Sequence, residues 1–321
     1  MWKTFVRRIL IMIPQLLILS LLLFFLATKM PGDAFTGMID PKVTPQVLEE
    51  LRIKHGFYDP WHVKYTRWMG NIILHGDFGN SIKFQRPVVE VIGERATNTF
   101  WLSLLQTIIL YAVAVPLGII AGRYRGRWSD RIISLYSYVA LAMPTIVFGI
   151  INILIFVFTL RWFPAGGTVS IHAIGNPLAE FFSRIHHMLL PALTGALVST
   201  TGTIMYLRSE IVEYENSDFV LTARSKGVPQ RVVYSKHILR NSLIPVASSS
   251  GYVIVGLISG SIFLESVFSY PGMGKLFIDS IVNRDYAIVN ALVMLFALLT
   301  VVGTLLSDMI LAAVDPRIRI K

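Results

Sequence analysis

The chain has 321 residues, of which 54% are apolar and only 15% are charged, and its net charge is +10. An ordinary soluble protein carries about 25% charged residues, so this composition indicates a membrane protein and excludes disordered, collagen-like and coiled-coil chains. The absence of cysteine excludes disulfide scaffolds, thiolate metal sites and a cysteine nucleophile.

Six long stretches of the chain lack any Asp, Glu, Lys or Arg, and each has at least the roughly 20 residues that cross a bilayer. We therefore predict an all-α polytopic membrane protein with six transmembrane helices. In chain order they cover Ile9–Thr28, Thr97–Gly122, Ile132–Leu160, His186–Leu207, Asn241–Leu264 and Tyr286–Ser307. A seventh uncharged run, Trp162–Ala179, contains two prolines and three glycines and is interpreted as a loop.

The basic residues are concentrated on one side of the predicted membrane. Sixteen Lys and Arg occur in segments 1–8, 123–131, 208–240 and 312–321. The short connections on the other side, 161–185 and 265–285, hold four. Because basic residues accumulate in cytoplasmic loops, both termini are predicted to be cytoplasmic. The connection 31–96 has eight basic and eight acidic residues and is predicted to be an extracytoplasmic insertion.

The segment between the fourth and fifth predicted spans holds a dense cluster of charges. Ser217 is predicted to cap a short helix over Asp218–Lys226, in which Asp218 places a negative charge in the first turn. Gly227 is predicted to end this helix in a left-handed conformation, and Pro229 suits the first turn of a second helix.

Ala223 and Gly227 are four residues apart and share a face of the short helix. Their small side chains allow a partner to pack against the backbone there. A solvated helix that only joins two spans is the alternative interpretation of the same pattern.

The stretch Asp218-Phe-Val-Leu-Thr-Ala-Arg-Ser-Lys-Gly227, followed by Arg240-Asn-Ser-Leu-Ile-Pro245, resembles the EAA loop of ABC importer permeases. It is most similar to the variant in dipeptide, oligopeptide and nickel permeases, which has Thr-Ala-Arg in place of Glu-Ala-Ala. The motif glutamate is absent, and the proline falls a few residues later than in sugar permeases. The resemblance assigns a role in coupling to an ATPase to Asp218, Thr222, Ala223, Arg224, Lys226, Gly227 and Pro245.

Further segments of the chain agree with this family, so the resemblance covers essentially the whole sequence. They include Pro31-Gly-Asp33, Gly76-Asp-Phe-Gly79 with Ser81, Tyr206-Leu-Arg-Ser-Glu210, Arg284-Asp-Tyr286 and Asp315-Pro-Arg-Ile-Arg319. The first and last of these resemble the B-type subunit of the permease pair.

The resemblance implies the type I ABC importer permease fold in a bacterial or archaeal cytoplasmic membrane. The expected parts are an N-terminal segment with the first helix (1–30), the insertion (31–96), a five-helix core (97–311) with the coupling loop 208–245, and a cytoplasmic tail (312–321). The implied partners are a homologous C-type permease, two ABC ATPase subunits, an extracytoplasmic substrate-binding protein and membrane lipid. Nothing in the sequence indicates nucleic acid as a partner.

The chain lacks a Gly-x4-Gly-Lys-Ser/Thr phosphate loop, because its only Gly-Lys pair, Gly274-Lys275, is followed by Leu276. It is therefore expected to be no enzyme and to bind no cofactor, with ATP and Mg used by the partner ATPases. Peptide is the expected cargo, and nickel or a nickel chelate is the alternative. A self-sufficient channel or facilitator is disfavoured because the charged loop would then have no purpose.

Other polar and helix-breaking residues have weaker interpretations. Glu265, at the end of the fifth predicted span, either meets the amino terminus of a peptide near the outer mouth or serves as a helix-end charge for the following loop. His186-His187 is interpreted as a pair of interfacial anchors rather than a metal site, because adjacent helical residues do not share a face. Kinks are predicted at prolines, and close helix packing is predicted at paired glycines; these residues are Pro14, Pro116, Pro144, Pro191, Gly118-x-x-x-Gly122 and Gly256-x-x-x-Gly260.

Overall fold

The computed structural model describes residues 2–29, 49–50, 53 and 58–314. In the first of these ranges, side chains are described only for residues 10–26. The prediction of an all-α fold is confirmed, and within these ranges β-type pairing is limited to an isolated bridge between Asn80 and Pro87. In chain order the α-helices are α1 (Trp2–Lys29), α2 (Trp61–His75), α3 (Val88–Arg123), α4 (Trp128–Ala142), α5 (Thr145–Asn152), α6 (Pro177–Glu215), α7 (Asp218–Ser225), α8 (Gln230–Val232), α9 (Leu239–Ser242), α10 (Ile244–Ser248), α11 (Ser250–Ser259), α12 (Ile262–Val267), α13 (Met273–Val282) and α14 (Tyr286–Val314). Two π-helical segments, Ile153–Thr159 and Val233–Ile238, continue α5 and α8.

Four helical segments are long and apolar enough to cross a membrane: α3, α6, the stretch Gln230–Val267 and α14. They contain the second, fourth, fifth and sixth predicted spans. The first predicted span lies in α1, whose apolar section among the described side chains is Leu10–Leu26. Length and composition of the described helices thus give four spans, or five with the bent pair described next, while the described apolar section of α1 is shorter than a span.

The third predicted span, Ile132–Leu160, is not one straight helix. α4 and the helical segment Thr145–Thr159 meet at a bend of 99°. Met143 is extended (φ −91°, ψ 120°), because the ring of Pro144 disfavours helical backbone at the preceding residue. The predicted kink at Pro144 is confirmed as a full break of the helix. Pro116 and Pro191, in contrast, lie inside α3 and α6.

The fifth predicted span is interrupted near its end. Gly260 takes φ 63° and ψ −159°, a backbone region open to glycine, and α11 stops just before it. The Ser261 hydroxyl then accepts a hydrogen bond from the Leu264 N–H (3.4 Å) as α12 begins. Gly256 makes no close contact within this chain, because among the described residues no atom lies within 4 Å of a Cβ placed there. The other predicted option, packing against a partner permease, stays a prediction.

The chain divides into two compact units, and the first combines Met1–Thr99 with Pro271–Val302. Its buried core is formed by Val88, Val91, Met273, Leu276, Ile288, Ala291 and Leu292. Beside this core the Ser81 hydroxyl donates to the buried carboxylate of Asp285, which also accepts from the Lys83 backbone N–H (3.3 Å). Two sequence segments with family resemblance, around residues 76–81 and 284–286, are thereby joined.

Aromatic residues of the predicted insertion pack on the first helix. The hydroxyls of Tyr65 and Ser20 are 2.7 Å apart. The Phe24 ring lies 5.5 Å from the Tyr65 ring and 5.4 Å from the Trp68 ring, centroid to centroid. α2 is therefore held against α1 by an edge-to-face and a tilted aromatic contact and by the Tyr65–Ser20 hydrogen bond.

The second unit combines Phe100–Tyr270 with Gly303–Lys321. In it α3 packs closely on α6. A Cβ at Gly118 would lie 3.1 Å from the Leu207 Cβ, and one at Gly122 would lie 2.8 Å from the Ile211 Cβ. The predicted close packing at Gly118 and Gly122 is confirmed as a contact within this chain.

Gly251 in α11 faces α14, where an added Cβ would lie 2.2 Å from the backbone nitrogen of Ser307. We expect Gly251→Ala to push these two helices apart and to lower the free energy of unfolding by about 1–3 kcal/mol. Gly256→Ala in the same helix is the matched control, because a Cβ there meets no described atom within 4 Å. Thermal unfolding of the two purified variants tests this, and equal midpoints would contradict it.

Candidate functional site

The candidate site is the short helix α7, which connects two candidate membrane spans. Ser217 precedes it in an extended conformation (φ −76°, ψ 152°). The Ser217 carbonyl accepts hydrogen bonds from the N–H groups of Val220 (3.0 Å) and Leu221 (3.1 Å), whereas its hydroxyl donates to the Tyr214 carbonyl (2.6 Å). Ser217 thus occupies the predicted cap position, but its side chain ties α7 to the end of α6 instead of capping α7.

α7 ends at Ser225, one residue before the predicted end, in a left-handed turn at Gly227 (φ 72°). The Gly227 N–H donates to the Arg224 carbonyl (3.0 Å), and the Val228 N–H donates to the Ala223 carbonyl (3.2 Å). This Schellman pairing satisfies carbonyls at the helix end. The predicted positive φ of Gly227 is confirmed. No described atom lies within 4 Å of a Cβ built at Gly227, so within this chain glycine is required for its conformation alone.

One face of α7 is buried in the core of this chain. Val220 is fully buried, and Ala223 is only 7% exposed. They belong to a cluster with residues of α6 and of the helix after α7, namely Leu207, Ile211, Val233, Tyr234 and Ile238. Ala223 therefore does not offer its side to a partner, contrary to the prediction, because its methyl group already packs on helices of its own chain.

The opposite face of α7 is exposed and partly apolar. Leu221 is 50% exposed, and Thr222, Ser225 and Lys226 are exposed with it. Phe219 lies on another side of α7, where it is 37% exposed and its ring is 6.0 Å from that of Tyr214, centroid to centroid. The exposed side of α7 thus offers an apolar side chain among polar ones, which is the composition of a protein–protein contact.

Charged and aromatic residues brace α7 and the helix that follows it. The Arg224 Nη2 lies 3.2 Å from Glu215 Oε1 at the end of α6. The Arg123 guanidinium lies 5.1 Å from the ring centroid of the buried Tyr234. Arg224 thus acts within this chain, whereas Asp218 in the first turn is exposed, where its charge suits the positive end of the helix dipole.

A second ion pair, which the sequence analysis did not identify, joins the C-terminal part of α6 to the start of α4. Asp130 at the start of α4 is 4% exposed and accepts hydrogen bonds from Arg208 Nε (2.6 Å) and Nη2 (2.9 Å). The Gly126 N–H (2.8 Å) and the Ser134 hydroxyl (3.2 Å) also donate to it. The sequence feature that could have indicated this pair is Asp130, the single acidic residue among the four arginines of segment 123–131.

Asp130→Asn is expected to destabilise the second unit by about 2 kcal/mol, because charge-assisted hydrogen bonds are lost and Arg208 keeps an unbalanced charge. Ser134→Ala is the matched control, since it removes only one weaker hydrogen bond to the same carboxylate and should cost about 0.5 kcal/mol. Thermal unfolding in detergent measures both. Equal midpoints for Asp130→Asn and the unmodified protein would contradict the structural role of the pair.

Two predicted site residues lie apart from α7. Pro245 occupies the first turn of α10 and is not a member of the cluster that packs on α7. Glu265 in α12 is completely buried, and its carbonyl accepts a hydrogen bond from the Tyr270 N–H (2.8 Å). A peptide does not reach the Glu265 side chain in this conformation, which agrees better with the alternative role in the following loop.

His186 and His187 bond to different parts of the backbone. His186 Nε2 lies 2.8 Å from the Trp162 carbonyl, and His187 Nδ1 lies 2.7 Å from the Ser183 carbonyl. These contacts agree with the predicted role as polar anchors. Among the described residues, no group of three His, Cys, Asp or Glu is placed to hold a metal ion.

The chain matches known proteins over nearly its whole length. The oligopeptide transport system permease protein AppB of Bacillus subtilis (strain 168) is 40% identical over 314 residues, which cover 98% of both chains. The glutathione transport system permease protein GsiC of Salmonella paratyphi A is 35% identical over 315 residues, and that of Escherichia coli (strain K12) is 33% identical over 316 residues, each covering 98% of both chains.

The fold is similar to that of a chain of the inward-facing MetNI methionine ABC transporter, with a TM-score of 0.50 at 14% identity, over 71% of this chain and 97% of that chain. Residues 1–104 match the N-terminal family of binding-protein-dependent transport system membrane components. Residues 114–320 match the family described as binding-protein-dependent transport system inner membrane component, and the chain therefore belongs to that family.

Proposed function

We propose that this chain is a permease subunit of an ATP-driven importer that carries di- and oligopeptides across the cytoplasmic membrane. The observation that carries the proposal is the two-sided packing of α7. One side is buried in the chain's own core, and the other exposes Leu221 between two candidate spans. The resemblance of residues 222–227 to the coupling motif gives this exposed side a purpose, which is docking on an ATPase subunit.

The proposed complex contains this chain, a homologous C-type permease, two ATPase subunits and an extracytoplasmic binding protein that delivers the substrate. ATP binding closes the ATPase pair and moves the coupling helices. The two permease bundles then re-orient, so that substrate crosses at their interface. ATP and Mg belong to the partner subunits in this scheme, because this sequence has no phosphate loop.

We place both termini in the cytoplasm and count six spans, taking α1 as one span and the bent pair as another. The distribution of basic residues supports this topology. The hydrogen bond from Ser81 to Asp285 supports it as well, because it joins the connections 31–96 and 265–285, which this topology places together outside the cytoplasm.

The corresponding parts of the protein are the segment 1–30, the insertion 31–96, the core 97–311 and the tail 312–321. Much of the N-terminal half of the insertion, with its Pro31-Gly-Asp33 motif, lies outside the described residues, as do residues 315–321 with the tail motif.

The absence of cysteine allows a direct test of the topology with single introduced cysteines. Cysteines at Ser217 and Lys321 should react with a membrane-impermeant maleimide only from the cytoplasmic side. A cysteine at Gln46, which like Lys321 lies outside the described residues, should react only from the other side. Labelling of the Gln46 position from the cytoplasm would contradict the six-span topology.

The relatives are permeases for oligopeptide and glutathione transport, which favours peptide over nickel as the cargo. Uptake into proteoliposomes that contain the complete complex, its binding protein and ATP tests this. We expect uptake of labelled peptide that needs ATP, and none by this subunit alone. Uptake by the subunit alone would indicate a channel, and uptake of radioactive nickel without competition by peptide would overturn the proposed cargo.

A further inference from the structure

The turn between α3 and α4 carries an exposed basic and aromatic surface, here called the arginine patch. Its members are Arg123, Tyr124, Arg125, Arg127, Trp128 and Arg131, all of which are exposed. Trp128 is 76% exposed, which is unusual for the largest apolar side chain unless something covers it.

The arginine patch carries four positive charges without an acid of its own. Asp130 is the one acidic residue in 123–131, but it is buried and already pairs with Arg208. Among the described residues, no carboxylate lies within 4 Å of Arg125, Arg127 or Arg131. The patch is therefore complementary to an anionic partner.

The aromatic rings hold the guanidinium groups at the surface. Arg123 and Arg127 lie 5.4 and 5.5 Å from the ring centroid of Tyr124, and Arg131 lies 5.7 Å from that of Trp128. Such cation–π contacts leave the N–H donors free for oxygen acceptors, and the planar guanidinium matches the oxygens of a phosphate group.

The arginine patch continues directly into an apolar face of α4. Ile132, Leu135 and Val139 follow Trp128 at helical spacing, and all three are exposed. In a membrane protein such a face lies against lipid acyl chains, while Trp and Tyr mark the level of the headgroups. The arginines at the end of this face are therefore placed at the depth of lipid phosphates.

We propose that the arginine patch binds the phosphate groups of anionic phospholipids in the cytoplasmic leaflet. Lipid is the occupant, and not a protein subunit, because the patch is continuous with the lipid-facing side of α4. This inference does not depend on which cargo the protein carries.

The test uses Ile132→Cys, labelled with a fluorophore in this cysteine-free subunit, with the complete complex in nanodiscs. Quenching by spin-labelled phosphatidylglycerol is compared with quenching by spin-labelled phosphatidylcholine at the same mole fraction. We expect the anionic lipid to quench about threefold more strongly, and the preference to weaken in high salt.

Combined Arg125→Gln, Arg127→Gln and Arg131→Gln should bring this ratio close to one. The charge-conserving variant with lysine at the same three positions is the matched control and should retain most of the preference. A ratio of one in the unmodified subunit, or an unchanged ratio in the glutamine variant, would overturn the proposal. Loss of ATPase subunits from the glutamine variant without a change in lipid preference would also overturn it, because the patch would then be a protein contact.

Discussion

Gly227→Asp should nearly abolish ATP-dependent uptake while the chain still inserts into the membrane. Gly227 takes φ 72°, where a β-carbon costs about 1 kcal/mol, so the substitution strains the turn that ends α7. No described atom of this chain lies within 4 Å of the added Cβ, so a steric cost beyond the strain would arise at the proposed ATPase contact, where close packing tolerates little extra volume. A combined cost of about 2 kcal/mol would weaken docking about thirtyfold.

Gly227→Ala separates the two causes, because it adds the backbone strain with almost no bulk. It should weaken docking about fivefold, as expected for about 1 kcal/mol. Co-purification of the ATPase subunits and peptide uptake measure both variants. Wild-type assembly and uptake in Gly227→Asp would mean that α7 is an ordinary loop helix.

Leu221→Glu and Ala223→Glu are expected to abolish coupling for different reasons. Leu221 is exposed, so a glutamate there should leave the unfolding temperature unchanged and remove an apolar contact from the docking surface. Ala223 is buried, so a glutamate there places a carboxylate among apolar side chains at a cost of several kcal/mol. This variant should therefore lose stability as well as coupling.

Thermal unfolding and ATPase co-purification distinguish these two outcomes. Unchanged stability of Ala223→Glu would contradict the buried position of Ala223. Retention of the ATPase subunits by Leu221→Glu would contradict the assignment of the exposed face of α7 to docking.

The helical class and the turn at Gly227 are predictable from the sequence because both follow from local chemistry. Backbone groups in hydrocarbon must be hydrogen-bonded within the chain, so long uncharged stretches become helices. A helix that ends beside a glycine and is followed by Pro229 adopts the left-handed turn that only glycine enters without strain. The prediction of a helix at α7 is therefore correct, and its predicted end is correct to within one residue.

The orientation of α7 is not predictable in the same way. The spacing of Ala223 and Gly227 shows that they share a face, but it does not show whether that face meets this chain or another. The structure turns Ala223 inward because Leu207 and Ile211 of α6 lie across from it. The 99° bend at Pro144 is likewise only partly predictable. A proline predicts that the helix is interrupted, but the angle depends on packing.

The pairing of Asp130 with Arg208 joins residues 78 positions apart. Charge counting treats both as members of basic segments, so it does not show that the Asp130 carboxylate is buried. Burial of Glu265 is not predictable from the sequence either. Its position at a span end suggests access to substrate, whereas the folded chain buries it completely.

Docking of α7 on an ATPase subunit is tested most directly by site-specific cross-linking in the complete complex. A single cysteine at Leu221 in α7 or at Lys226 directly after it, both exposed, carries a photoreactive group, and one at Val139 on the exposed apolar side of α4 is the control. We predict cross-links to an ATPase subunit from both α7 positions and none from position 139. Absence of any cross-link from α7 in a complex that still imports peptide with ATP would contradict the proposed coupling role.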